Sequence, residues 1–503
     1  MATKYIGALG CAVTVPLAVL CYLYPDSAIG SDHRPDMKNA RGFPLIGVLP
    51  ELIQAQGHIH DIVTAAHEDF GMTWTFTALF FPRQIMTIDP RNVEYILKSN
   101  FEGFGKASDF HEKMYDLFGD GIFNVNGDTW RYQRKTASHI FNVKNFRDWF
   151  TGVFIDESRL AFKVLDDYAS TGEKIDLHDL FFRFTLESFL RIGFGTSIGA
   201  MDLSREVKFA KSFDAMQSEI MLRQVLPLWN IYMAARNFVF PRSNPKPHVE
   251  TVDSFASKVI QERRKAADLS SKQDLLSRFM SNTRDEHGNQ LNDKQLRDII
   301  LNFIIAGRDT TAGALSWAFY CLSEHPQVVD KIYEEVKGVI KDDLDSAELY
   351  EAYKKLTYTT AVWNEVLRLF PSVPINQKCA LEDTLLPDGT FVKKGDHVVW
   401  SPYAMGRSEA IWGPDAKDFN PDRWLKDEKP SAYEWPVFHA GPRTCLGQTL
   451  ATIEGVLVMA LFIKRYKFHI VPHQTITYNL ALTLQMRYGM WMTIERRDQG
   501  EKH

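Results

Sequence analysis

Cysteine is scarce in this sequence, with 5 residues in a chain of 503. Two of them fall in an apolar run at the N-terminus, and the spacing of the other three indicates no disulfide pairing. This pattern excludes a disulfide framework and favours a reducing compartment for the body of the chain. The cysteines are Cys11, Cys21, Cys321, Cys379 and Cys445.

An excess of positive charge is also lacking. The chain has 58 basic and 63 acidic residues, a formal net charge of −5, which gives no indication of nucleic-acid binding. The sequence contains no internal repeat, no low-complexity tract and no glycine-rich phosphate-binding βαβ unit of the kind that holds a flavin or a nicotinamide nucleotide.

What the sequence does contain is helical periodicity over most of its length, and 45% of its residues are hydrophobic, enough for a large buried core. Residues 73–80 and 84–88 are rich in β-branched and aromatic side chains and predict two strands, followed by a helix over 90–98. The predicted class is therefore mainly α with a small β region.

The N-terminal residues 5–24 form an uncharged run of about 20 residues, long enough to cross a bilayer. A cleaved secretory signal is the alternative, but the weak positive start favours a retained anchor. More basic residues follow the run than precede it, which places the body in the cytosol. Residues 42–47 then carry glycine and proline, which cannot continue a helix.

Residues 438–447 place Cys445 in a glycine-punctuated loop just before an apolar helical run, 448–462. A thiolate at the start of a helix is stabilised by backbone N–H groups and by the helix dipole. Gly441 and Gly447 would let the backbone approach a flat ligand, and Arg443 could reach an anionic group on it. Phe438 could shield the sulfur from water. The alternative is a buried structural cysteine.

Three further patterns place polar residues at helical spacing. Trp130 and Arg134 share a helix face, a spacing that by itself is better explained by an amphipathic helix. Residues 306–311 (Ala-Gly-Arg-Asp-Thr-Thr) interrupt an apolar helix predicted over 296–322, either as a polar kink or as a functional opening. Glu365 and Arg368 lie three apart and predict an ion pair, which matters for stability only if it is buried.

Together these patterns, F-x-x-G-x-R-x-C-x-G, A-G-x-D-T-T, E-x-x-R and W-x-x-x-R, resemble the cytochrome P-450 family, in order and over about the whole chain after residue 40. The resemblance implies the P-450 fold preceded by one N-terminal transmembrane helix. The expected organisation is an anchor over 1–25, a hinge over 26–50 and a haem-thiolate monooxygenase domain over 51–503. The expected reaction inserts one atom of O₂ into a C–H bond.

The resemblance also implies roles for individual residues. Cys445 would be the metal ligand of haem b. Asp309 would relay protons and Thr310 would hold dioxygen and a water, as the catalytic pair. Family members that link haem covalently carry Glu at the position of Ala306, so unlinked haem is expected. The remaining cofactor-binding residues are Arg443, Phe438, Gly441, Trp130, Arg134 and Ala306, with Lys106 and Lys378 as weaker matches. The structural network is Glu365, Arg368 and Arg423.

The substrate follows from a closer resemblance to fungal and plant alkane and fatty-acid hydroxylases, carried by residues 306–311, 371–374, 386–390 and 404–407. It implies terminal or near-terminal hydroxylation of a long-chain fatty acid or alkane; a sterol, a terpene or an aromatic xenobiotic is the alternative. Residues 220–240 would roof the channel, and Arg223 and Arg236 are positional candidates for a carboxylate. The candidate pocket residues are Met114, Phe118, Phe123, Ile305, Val373 and Leu482.

The expected partners are O₂, a lipophilic small molecule, the membrane and NADPH–cytochrome P-450 reductase, with cytochrome b5 as a further donor and no nucleic acid. Arg131, Lys135 and Lys144 would form the docking patch, or merely a solvated face. The expected location is the endoplasmic reticulum membrane, single-pass, with a cytosolic catalytic domain. The rival functions are a haem-thiolate isomerase or lyase, a haem sensor and an anchored structural protein with a buried cysteine.

Overall fold

The computed structural model describes the chain from residue 14 to residue 497, with the exception of 33, 266–268, 270, 271, 273, 284–287, 342 and 343. The chain divides into two compact units. The first comprises the described residues of Met1–Ala107, Leu222–Ser243 and Ile375–Met405. The second comprises Ser108–Met221, Asn244–Pro374 and Gly406–His503, again within the described range.

Helices dominate both units, as the periodicity predicts. The helices are α1 (14–23), α2 (Leu49–Gln54), α3 (Ile59–Phe70), α4 (Pro90–Glu94), α5 (Ser108–Phe118), α6 (Gly127–Ser138), α7 (Val143–Asn145), α8 (Thr151–Thr171), α9 (Leu177–Phe194), α10 (Lys208–Val225), α11 (Trp229–Val239), α12 (Lys246–Arg264), α13 (Leu275–Asn282), α14 (Asp293–Glu324), α15 (Pro326–Val339), α16 (Ser346–Tyr353), α17 (Thr357–Leu369), α18 (Pro402–Gly406), α19 (Glu409–Trp412) and α20 (Gln448–Arg465).

The strands are short and form three sheets. They are β1 (Thr73–Phe76), β2 (Gln84–Thr87), β3 (Phe104–Gly105), β4 (Ile175–Asp176), β5 (Asn376–Ala380), β6 (Thr384–Leu385), β7 (Phe391–Val392), β8 (His397–Trp400), β9 (Tyr466–Ile470) and β10 (Trp491–Arg496). The first unit holds a five-stranded sheet in the order β1-β2-β8-β5-β3, in which β2 and β8 are parallel, and the hairpin β6-β7. The second unit holds the sheet β4-β10-β9.

The second unit is built around α14, the longest helix, with 32 residues. Asn292 and Gln295 close a capping box at its start, which satisfies two N–H groups that would otherwise lack partners. Helices α5, α9, α12, α17 and α20 pack against α14, which explains why it is apolar on nearly all sides. The core of this unit therefore lies along α14. The predicted catalytic residues, the six predicted pocket residues and the predicted haem contacts other than Lys106 and Lys378 all belong to this unit.

Gly307 in α14 has a packing role. A Cβ atom added to it would lie 1.9 Å from the ring of Phe189 on α9, so only glycine permits the two helices to approach this closely. The expected local opening of the helix is not present, because residues 306–311 are α-helical throughout. The close helix–helix contact thus accounts for glycine at this position, despite its low helix propensity.

The predicted membrane anchor lies partly outside the described residues, which begin at 14; its remainder forms α1. Among the helices between residues 14 and 497, none combines the length and apolar composition needed to span a bilayer. The predicted strands correspond to β1 and β2, with the first ending four residues earlier than expected. The predicted helix over 90–98 begins as α4 and continues as one π-helical turn, Tyr95–Ser99.

Glu454, on α20, carries an ionisable side chain within the apolar core of the second unit. It is buried, and its Oε1 has no hydrogen-bond partner among the described residues. Burial raises the pKa of the Glu454 carboxyl to about 8, against a smaller opposing effect of Ser188. The protonated form is therefore the stable one in the folded protein at neutral pH.

We expect the stability of the protein to fall as pH rises from 4.5 to about 8, because the unfolded chain ionises Glu454 first. The loss should approach about 1.4 kcal/mol per pH unit and total about 3–5 kcal/mol. Glu454→Gln should remove this dependence, which urea denaturation between pH 5 and 8.5 would measure. The control is Glu334→Gln, an exposed glutamate on α15. An unchanged pH dependence in Glu454→Gln would contradict the assignment.

Candidate active site

The Cys445 loop contains two short 3-10 turns, Pro436–Phe438 and Gly441–Arg443, and residues 444–447 connect the second turn to α20. The Cys445 N–H donates to the Phe438 carbonyl at 2.8 Å, which closes the loop on itself. Gly441 has a φ of +63°, a conformation that favours glycine, whereas Gly447 has an ordinary backbone conformation. Glycine is therefore required at the first of the two positions on conformational grounds.

The Cys445 side chain is accessible to solvent, yet it is surrounded by enough protein for burial to raise the pKa of its thiol. The N–H groups of Gly447 and Gln448 and the guanidinium of Arg134 act in the opposite direction. No side chain caps the start of α20, so its first N–H groups face the sulfur. The loop thus presents an accessible thiol to a set of groups that stabilise a thiolate.

Two arginines lie close to the ring of Trp130. The Arg443 guanidinium is 4.4 Å from the centre of the Trp130 ring, and that of Arg134 is 5.9 Å away. Arg443 also donates to the Val125 carbonyl at 2.9 Å. Burial lowers the pKa of Arg134, and Cys445 opposes this effect. The half-buried Arg134 has no carboxylate partner among the residues that the structure describes.

Thr310 occupies the middle of α14. Its hydroxyl donates to the Ala306 carbonyl at 2.7 Å, the bond to the preceding turn that a mid-helix threonine can form. The Thr310 carbonyl in turn accepts from the Ser372 hydroxyl at 2.7 Å. The Leu484 N–H donates to the Ser372 carbonyl at 3.0 Å. These bonds bring the predicted pocket segments around Val373 and Leu482 alongside α14.

Asp309 is fully buried and makes several polar contacts. Its Oδ2 accepts from Gln217 Nε2 at 2.7 Å and from Gln485 Nε2 at 3.0 Å, and its Oδ1 accepts from Arg308 at 3.1 Å. Burial raises the pKa of Asp309 to about 6, with Asp214 adding to the effect and Arg308 opposing it. A carboxyl with a pKa near 6 can both accept and release protons at physiological pH.

The loop that carries Phe123 is tied to α14 by two side chains that sequence reasoning missed. Asn302 Oδ1 accepts from the Phe123 N–H at 3.1 Å, and Asp298 Oδ2 accepts from the Asp120 N–H at 3.0 Å. A Cβ on Gly121 would lie 2.0 Å from Asn302, so the backbone passes directly over it. Asp298 and Asn302 are four apart in an apolar run, a signal of one polar helix face that was available in the sequence.

The comparison with known protein families decides the identity. The model of the family "Cytochrome P450" matches residues 37–487. The chain belongs to the cytochrome P450 family.

Curated relatives agree with this assignment. Cytochrome P450 704B1 of Arabidopsis thaliana is 36% identical, over 92% of this chain and 97% of its own. Cytochrome P450 86B1 of the same plant is 38% identical, over 91% of this chain and 86% of its own. Cytochrome P450 monooxygenase cyp1 of Mycosarcoma maydis is 36% identical, over 88% of this chain and 72% of its own. This P450 is accordingly a monooxygenase that uses a haem-thiolate cofactor, O₂ and a redox partner, which confirms the predictions of family and enzyme class.

The residues of this P450 fit a haem group. A haem carries two carboxylates, and Arg134 is a half-buried guanidinium without a carboxylate partner in the described part of the chain, on the same helix face as Trp130. The guanidinium of Arg443 lies 4.4 Å from the centre of the same ring. The accessible Cys445 sulfur supplies the soft thiolate ligand that iron accepts. This donor set matches a haem thiolate better than a structural cysteine, which would be enclosed.

The glutamate of the E-x-x-R pattern anchors a fully buried network. Glu365 lies 2.7 Å from Arg368 and 3.0 Å from Arg423, and it also accepts from the Trp424 indole at 2.9 Å. Arg368 donates onward to the carbonyls of Gly406, Ala416 and Asp418. The network therefore joins α17 to the segment that precedes the Cys445 loop.

Some of the predicted residues fall in the first unit, and others have local partners. Lys106, Lys378, Arg223 and Arg236 belong to the first unit. Lys378 is buried, with its Nζ 5.4 Å from the centre of the Phe101 ring. In the docking patch, Arg131, Lys135 and Lys144 are exposed, and Arg131 pairs with Asp128 at 2.8 Å.

Proposed function

We propose that this P450 hydroxylates long-chain fatty acids or alkanes at or near the end of the chain. The observation that carries the proposal is the apolar character of the side chains placed along α14. Met114 and Phe118 lie on α5, which packs against α14, where Ile305 is buried one residue before Ala306. The exposed Phe123 packs edge-to-face against Phe118, with ring centres 6.3 Å apart.

An apolar channel alone can hold such a chain. Burying about twelve methylenes at ~0.8 kcal/mol each contributes roughly 10 kcal/mol before the cost of ordering the ligand. One methylene more or less changes binding by only about 1–3 kcal/mol, so shape near the reacting carbon must select the position. A mixture of terminal and near-terminal products is therefore expected.

The haem thiolate, when bound, supplies the reduction of O₂ and the transfer of one oxygen atom to carbon. Cys445 would hold its iron, unlinked to the protein at Ala306, and Arg134, Arg443 and Trp130 would hold its carboxylates, with Phe438 and Gly441 shaping the loop. Asp309 would deliver protons, which its raised pKa permits near neutral pH. The Thr310 hydrogen is donated to Ala306, so its oxygen remains an acceptor for a water or a protonated ligand.

We expect Thr310→Ala to remain folded but to divert electrons from product to peroxide, because the acceptor that steers the proton is lost. Thr310→Ser should restore much of the coupling. The measurement compares NADPH consumed, product formed and H₂O₂ released, and the peroxide share should rise at least about tenfold. Equal coupling in Thr310→Ala and the wild type would remove Thr310 from proton delivery.

The electron donor in this proposal is a separate NADPH-dependent reductase at the endoplasmic reticulum, with cytochrome b5 as a second donor. Residues 1–25 would anchor the chain as a single pass and 26–50 would act as the hinge to the cytosolic domain 51–503. Arg131, Lys135 and Lys144 would provide the basic docking patch.

The test titrates saturated fatty acids of increasing length, and alkanes, against the haem spin state, and analyses turnover products by mass spectrometry with and without reductase. A spin-state shift that grows with chain length is expected with or without the reductase, because it reports binding. Hydroxy acids oxidised near the far end are expected only when the reductase is present. A response to a sterol, a terpene or an aromatic compound, with none to any acid or alkane, would replace this proposal by the alternative substrate class.

A further inference from the structure

Asp309 shares its ion-pair partner, Arg308, with a second carboxylate. Arg308, its neighbour in α14, is almost fully buried and points its guanidinium at Asp214 on α10. The two donor bonds to Asp214 measure 2.6 and 3.1 Å, whereas the single contact with Asp309 measures 3.1 Å. One buried cation is therefore shared between two carboxylates, and the closer, two-point contact is with Asp214.

The geometry points to Asp214 as a positioning residue for proton delivery. We propose that Asp214 draws Arg308 away from Asp309, and that Gln217, one turn later on α10, opposes this by donating to Asp309, so that the two residues together set the charge state of the catalytic acid. The proposal rests on the proposed role of Asp309 in proton delivery. It assigns a function to one face of α10 that no motif in the sequence indicates.

The electrostatics of the cluster agree with this geometry. Asp214 raises the pKa of Asp309, while Arg308 and Gln217 lower it, against the dominant effect of burial. For Arg308, burial lowers the pKa, but the carboxylates of Asp214 and Asp309 outweigh it, so the guanidinium stays charged. Arg308 therefore keeps its positive charge, and within the Arg308–Asp309 pair the charge that changes with pH is that of Asp309.

The contacts that α9 and the C-terminal segment make with the cluster come from neutral groups. On α9, the Thr185 hydroxyl donates to the Arg308 carbonyl at 3.0 Å, and Phe182 lies 4.9 Å below the guanidinium. His178, at the start of α9, has its pKa lowered to about 3, first by burial and then by Arg308, so it is neutral in the working range. The C-terminal segment contributes the neutral Gln485.

Asp214 differs from the rest of the cluster because its side chain is 42% exposed, whereas Asp309 is fully buried. A displacement of α10 would therefore change the pairing of Arg308 without any contact to the reacting atoms. The position of α10 and the protonation of Asp309 are then linked through one guanidinium.

The experiment measures the protonation of Asp309 directly, in the haem-loaded enzyme. The infrared carbonyl stretch of the protonated carboxyl, identified by its loss in Asp309→Asn, is titrated in the wild type and the variants. Asp214→Asn should move the midpoint down by about one pH unit, a tenfold change in the ratio of charged to neutral Asp309 at fixed pH. Gln217→Leu should move it up, and Asp214→Glu should restore the wild-type value.

Two arms make the outcome unambiguous. Glu206→Gln removes a carboxylate that pairs with Lys211 near the start of α10, and it should leave the midpoint unchanged. The pH profile of coupling should follow the infrared midpoints. Shifts of the same sign in Asp214→Asn and Gln217→Leu, or no shift in Asp214→Asn, would overturn the proposal. Unchanged coupling in Asp309→Asn would instead refute the proposed role of Asp309, whatever the infrared midpoints show.

Discussion

Glu365→Ala is expected to lower the free energy of unfolding by about 3–5 kcal/mol, because it removes the only carboxylate that Arg368 contacts within the described residues. Arg368 and Glu365 are both fully buried. Without Glu365, the Arg368 charge would keep three carbonyl acceptors but would lose its counter-ion, and the Trp424 indole would lose its acceptor. Urea denaturation of the haem-loaded protein, followed by circular dichroism, would measure the loss.

The chain offers a matched control for this change. Glu351 and Lys354 have the same three-residue spacing and a comparable distance, 2.8 Å against 2.7 Å, but both side chains are about half exposed. Glu351→Ala should therefore change the free energy of unfolding by less than about 1 kcal/mol. Equal effects of the two substitutions would show that burial of the network contributes nothing to stability.

The sequence predicts local elements well because their causes are local. The β-branched and aromatic residues of 73–80 and 84–88 predict two strands, which correspond to β1 and β2 and form an antiparallel pair. The parallel pairing of β2 with β8 could not be predicted, since its partners Ile85 and Val398 are hundreds of residues apart. Distant pairings depend on the fold as a whole, which no window of the sequence contains.

The same distinction holds at the site. The Thr310 bond to Ala306 joins residues four apart, and helix geometry makes it predictable. The partners of Asp309 are not local, because Gln217 lies 92 residues before it and Gln485 lies 176 residues after it. Family resemblance can mark Asp309 as the acid, but only packing of α10 and the C-terminal segment on α14 determines what tunes it.

The sequence identifies Gly307 as unusual within a helix, but it does not show the physical reason for a glycine at this position. In the sequence it weakens a helix beside a catalytic pair, which favours a functional opening. In the structure its missing side chain makes room for Phe189, and the helix is continuous. Helix propensity is a property of one residue and can be taken from the sequence. The space available to a side chain depends on how two helices pack, so it can be known only from the structure.

Cys445→Ala is expected to abolish the absorption typical of a thiolate-ligated, reduced, CO-bound haem and to reduce turnover at least about a thousandfold, equivalent to ~4 kcal/mol of barrier. The reason is that the Cys445 sulfur is the accessible thiol at the start of α20, where the N–H groups of Gly447 and Gln448 stabilise its charged form. Alanine leaves those donors in place but removes the ligand.

The spectrum of a second cysteine variant, outside the Cys445 loop, is the control. Cys379, in β5 of the first unit, is half-buried and lies 3.5 Å from the Ala380 carbonyl, so Cys379→Ala should keep both the spectrum and the turnover. Circular dichroism on both variants separates loss of the ligand from loss of the fold. A thiolate-type spectrum that survives in folded Cys445→Ala, or a histidine-type spectrum in the wild type, would mean that another side chain holds the iron and that the loop before α20 serves packing alone.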